Sequence, residues 1–93
     1  MNLAGFKESL TAGIPPDCSA YLQSLWYDAK GDWNKAHVLI QDINDRTAAW
    51  IHAYLHRKEG DISNADYWYH HAGKKRPPGT LIEEWEQIVM ALL

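Results

Sequence analysis

Along most of the chain, apolar residues recur every three or four positions, and polar residues fill the gaps. That spacing puts the apolar side chains on one face of a helix. Leu3, Phe6 and Leu10 predict a short first helix, which Gly13-Ile14-Pro15-Pro16 stops. Pro16 or Asp17 is expected to open a second helix, with Leu22, Leu25, Trp26 and Ala29 on its stripe and Gly31 at its end. Asp32 then caps a third, carrying Ala36, Leu39, Ile40 and Ile43. Asp45 caps a fourth, with Ala48, Ile51 and Leu55, which ends at Gly60. Asp61 caps a fifth, with Ala65, Trp68, Tyr69 and Ala72 facing inward.

The last helix has the fullest pattern. Thr80 and Glu83 form a capping box, and Leu81, Ile82, Trp85, Ile88, Val89 and Leu92 read as a continuous apolar face. No segment alternates with period two over a useful length, so no sheet is predicted. The expected class is all-α, one domain over residues 1–93, with about six helices paired as antiparallel hairpins.

Two of the predicted turns repeat. Trp26–Ala36 and Leu55–Ala65 match at an offset of 29 residues, the distance from Gly31 to Gly60. The shared core is Gly-Asp-(Trp/Ile)-x-(Lys/Asn)-Ala. Gly reverses the chain, Asp caps the next helix, and Ala lets the helices approach closely. This core resembles the turn and second helix of a tetratricopeptide repeat. In the second copy Tyr69, Ala72 and Pro77 extend the likeness, and in the first Ile40 and Ile43 stand in the matching places. The period is shorter than the repeat's usual length of about 34 residues, and His52 and His56 replace its customary apolar residues.

The resemblance implies a right-handed α/α superhelix, with one repeat over about residues 17–44, a second over about 46–73, and capping helices at 2–12 and 80–93. The whole chain is also similar to a group of short bacterial proteins without an assigned function. Gly31–His37, His52–Asp61 and Asn64–Tyr69 carry that similarity, and it brings no activity with it.

Composition narrows the function classes. The net charge of −3, with both signs interspersed, argues against a nucleic-acid binder. The basic run Lys74-Lys75-Arg76 precedes Pro77-Pro78-Gly79 and reads as a solvated loop. Cys18 is the only cysteine, so no intrachain disulfide forms. No apolar run approaches the roughly 20 residues of a membrane span. A cytoplasmic location is therefore expected. Cys18 has no Cys-x-x-Cys partner, and neither a phosphate loop nor a nucleophile elbow is present, so an enzyme is not the expected reading.

Two constellations remain. Trp50, Tyr54, Arg57 and Lys58 share a face of the fourth helix, with Tyr21, Leu25 and Asp28 as counterparts in the first copy. In tetratricopeptide repeats the matching positions line the concave groove. An aromatic and basic groove at Tyr21, Trp50, Tyr54, Arg57 and Lys58 would suit a peptide carrying a carboxylate. The leading expectation is a noncatalytic module that binds a protein or peptide, self-assembly included, and needs no cofactor.

The second constellation is His52, His56 and Glu59, which lie on one face, with His37 on the preceding helix. These four could hold a metal. Ala53 stands where the His-Glu-x-x-His zinc motif has its glutamate, however. The preferred expectation is that the histidines are half-buried and hydrogen-bonded to carboxylates or carbonyls. His70 and His71 are adjacent, point apart, and read as solvated surface.

Overall fold

Each predicted helix forms, and the side chains assigned to start the third, fourth, fifth and sixth do so. A computed structural model describes residues 1–93 and contains α1 (Leu3–Ser9), α2 (Ala20–Ala29), α3 (Trp33–Ile40), α4 (Arg46–Lys58), α5 (Ile62–His71) and α6 (Leu81–Leu92), with no strand. Asp32, Asp45 and Asp61 accept backbone N–H groups at the starts of α3, α4 and α5. Thr80 and Glu83 close both halves of the capping box on α6. One expected start differs. Ser19, rather than Pro16 or Asp17, caps α2, because its hydroxyl accepts the N–H of Leu22.

The two matching turns have the same backbone. Gly31 and Gly60 both stand at φ 88°, in the left-handed region that favours glycine. The N–H groups of Asp32 and Asp61 donate to the carbonyls of Tyr27 and His56, five residues back in each case. The repeated sequence is thus a repeated conformation.

α2 pairs with α3, and α4 with α5. α6 returns across the faces of α2 and α4, and α1 rests on α6. The main core holds Phe6, Leu22, Leu25, Trp26, Ala36, Ile40, Ile51, Leu55, Trp85, Ile88 and Val89. A smaller cluster of Ala53, Ala65 and Tyr69 lies between α4 and α5. Ile82 leaves the expected pattern: it is 71% exposed, so the inward face of α6 excludes it. Its neighbour Glu84, a charged residue, is buried instead.

Candidate functional site

The residues predicted to line a groove on α4 bond their polar groups to partners within the chain. Trp85 on α6 donates its indole N–H to the Leu25 carbonyl at 2.9 Å, fixing α6 over α2. The same helix turn aims Glu84 at α4. Arg57 Nη1 donates to Glu84 at 2.9 Å, the Tyr69 hydroxyl lies 2.7 Å from its oxygens, and Trp50 Nε1 donates at 3.2 Å. Arg57 also donates to the Gly79 carbonyl. The chemistry expected of a peptide ligand, a carboxylate on Arg57, is supplied internally.

The other groove residues are also engaged. Tyr54 is buried, and its hydroxyl donates to Asp28 at 2.8 Å. Lys58 donates to the second oxygen of Asp28 at 2.9 Å. Burial, then the charge of Asp28, raises the Tyr54 hydroxyl pKa well above its ordinary range, so it stays a donor. Leu25 is core, and Tyr21 is half-buried with its hydroxyl on Asp45. Lys74 covers the Trp50 ring at 4.1 Å. Trp50 and Arg57 are thus bonded to Glu84 and Tyr21 to Asp45, while Tyr54 and Lys58 bond Asp28 and line one side of an open cleft.

A cleft of about 500 Å³ opens beside this network, between α1, α2, α4 and α6. Its apolar wall includes Leu10, Leu81, Ile82 and Trp85. Its charged groups are already paired, Lys58 with Asp28 and Lys7 with Glu86.

The histidines converge. α3 and α4 cross so that His37 Nε2 lies 2.9 Å from His52 Nε2. One turn along α4, the His56 ring lies with its centroid 4.8 Å from that of His52 and 5.5 Å from that of His37. One ring nitrogen from each of the three falls within 4.8 Å of the others. His52 and His56 are buried, while His37 is half-buried.

Two indoles frame the cluster. Trp33 stacks on His37 at 4.9 Å, held by its N–H bond to the Leu55 carbonyl at 2.8 Å. Trp68 stacks on His52 at 4.0 Å. These stacks restrict how the imidazoles can turn.

The expected carboxylate partner exists for one histidine only. His56 Nδ1 lies 2.5 Å from Glu59 Oε1, so Nδ1 carries a hydrogen and Nε2 is the nitrogen turned away from the carboxylate. Asn64 Nδ2 approaches His56 Nε2 at 3.3 Å. Neither His37 nor His52 bonds a carboxylate; each is the other's partner. Burial, followed by the charges of neighbouring histidines, lowers both pKa values, that of His52 to about 4. Both are neutral imidazoles at pH 7, the form that binds a metal. Glu59 bonds His56 and lies outside the three-histidine grouping. Asp61 can join His56 and Glu59 in a second, exposed grouping, but its carboxylate caps α5.

The pattern missed Asn64, Trp33 and Trp68 as members of this site. Asn64 and Trp33 lie inside the repeated turn segments, where their positions read as helix starts rather than as chemistry. Cys18 takes no part: burial and then Asp17 raise its thiol pKa, the opposite of nucleophile activation. His71 bonds the Tyr67 carbonyl at 3.0 Å and is exposed, as is His70, in keeping with their reading as surface.

The sequence matches no family model, no curated protein and no solved structure.

Proposed function

We propose that this protein binds one divalent transition-metal ion, of the zinc class, through His37, His52 and His56. The observation that carries this reading is the meeting of three imidazole nitrogens from two helices within 4.8 Å. Zinc–nitrogen bonds of about 2.0–2.1 Å in tetrahedral array place ligand nitrogens roughly 3.3 Å apart. The observed 2.9 Å between His37 and His52 needs only a small opening to reach that spacing. The third nitrogen, within 4.8 Å of the other two, has to move inward to reach it. An all-imidazole donor set suits zinc, copper or nickel and disfavours calcium or magnesium.

Glu59 supports the assignment. A carboxylate on the far nitrogen of a ligating histidine sets its tautomer and raises its basicity. His56 and Glu59 have this arrangement. The scaffold we infer is a pair of tetratricopeptide-like hairpins, supported by the matching turns at Gly31 and Gly60 and by the close-packed Ala36 and Ala65.

A peptide partner on α4 is the competing reading. It would have to displace Glu84 from Arg57 and Asp28 from Lys58. Zinc titration of metal-free protein separates the two readings. One equivalent of zinc should bind and raise the melting temperature, and His52→Ala or His56→Ala should remove both effects. A melting temperature that zinc leaves unchanged, with no metal retained after dialysis, overturns the metal reading.

A further inference from the structure

The metal reading leaves a coordination position open, and the chemistry around that position selects what fills it. Zinc-class ions favour four ligands, and the cluster supplies three. The nearest carboxylates are spent elsewhere. Glu59 binds Nδ1 of His56, and Asp61 caps α5. Three neutral imidazoles cancel none of the ion's charge, which favours an anion as the fourth ligand. The site is also reachable, because His37, Trp33, Trp68 and Asn64 all retain partial exposure.

Asn64 adds a specific donor. Its amide approaches His56 Nε2 at 3.3 Å, the lone pair a metal would take. Metal binding at that nitrogen releases the amide, which stays beside the ion with both N–H groups unspent. The Asn64 main-chain N–H donates to the capping Asp61, which fixes its backbone at the start of α5 next to the cluster. We propose, resting on the metal reading above, that the fourth position takes a small oxyanion, one oxygen on the metal and another accepting from the Asn64 side-chain amide. Carboxylate and phosphate groups share this chemistry.

Cobalt(II) tests this, because its visible spectrum reports its coordination. The full chain is loaded with one equivalent of cobalt and titrated with acetate, and separately with inorganic phosphate. A saturable spectral change with either anion is expected, and the tighter of the two identifies the source. Asn64→Ala, compared at saturating cobalt, should lose about tenfold or more in anion affinity, as expected for one hydrogen bond to a charged group. A cobalt spectrum indifferent to both anions overturns this inference and leaves the metal reading standing. Equal anion affinity in Asn64→Ala overturns the role of Asn64. Failure of cobalt and zinc to bind at all overturns both.

Discussion

Glu84 is 1% exposed, and Trp50, Arg57 and Tyr69 all point their polar groups at its carboxylate. Removing one member of such a pair leaves the other desolvated and unmatched. Glu84→Leu should cost about 3–5 kcal/mol in urea denaturation. The double variant Glu84→Leu/Arg57→Met should recover much of that loss, since the stranded guanidinium is then gone; a double variant as unstable as the sum of the singles would show that the pair is not coupled. His52 makes a second prediction at this scale. In the folded chain it takes a proton only near pH 4, whereas in the unfolded chain it does so near 6.5. Between those values the unfolded state binds more protons, so stability is complete above about pH 6.5 and falls as the pH drops toward 4. Melting curves in the presence of a chelator should show this decline, and His52→Gln should make it shallower, with the lowered pKa of His37 supplying the remainder.

The elements are held by their turns as much as by their faces. A Cβ at Gly31 or Gly60 would meet nothing within 4 Å, so any cost of substitution there is conformational. Gly31→Ala and Gly60→Ala should each lose about 1–2 kcal/mol, the cost of a left-handed backbone for an L-residue. Gly31→Asn and Gly60→Asn should lose less, because asparagine tolerates that region. Similar losses at the two sites would match their common φ of 88°. Ala36 and Ala65, the small residues shortly after those turns, are both fully buried where hairpin helices meet. Leucine at either position should overpack the crossing by about 1–3 kcal/mol. Unchanged denaturation midpoints would show that these alanines do not set helix separation.

At the scale of the molecule, the terminal helices close a core that two hairpins leave open. α6 covers α2 and α4, and α1 locks α6 through Phe6, which is fully buried and meets the Trp85 ring at 5.9 Å. Phe6→Ala should therefore cost about 3–5 kcal/mol although it lies in a helix of 7 residues. Urea denaturation checks this, and a loss under about 1 kcal/mol would mean that α1 is a dispensable tail. Metal should act globally as well. Zinc at about 100 times its dissociation constant should add about 2.7 kcal/mol, provided it binds only the folded chain. No helix is long and apolar enough to cross a membrane.

Local signals determined the elements. Capping side chains, left-handed glycines and apolar spacing act within one or two turns of the chain, so Asp32, Asp45, Asp61, Thr80, Gly31 and Gly60 could be read in order along the sequence. The same periodicity identified Leu25, Trp26, Ala36, Leu55, Tyr69 and Ile88 as core. His52, His56 and Glu59 could be placed on one face for the same reason. Only the tertiary structure decided what those faces meet. Whether Arg57 faces solvent or Glu84 depends on where α6 lands, 27 residues away, and periodicity carries no distance between helices. His37 reaches His52 because α3 crosses α4 at one particular turn, and Asn64 reaches His56 because α5 folds back along α4. Spacing along a helix specifies direction about its axis; convergence of side chains from different helices is a property of packing.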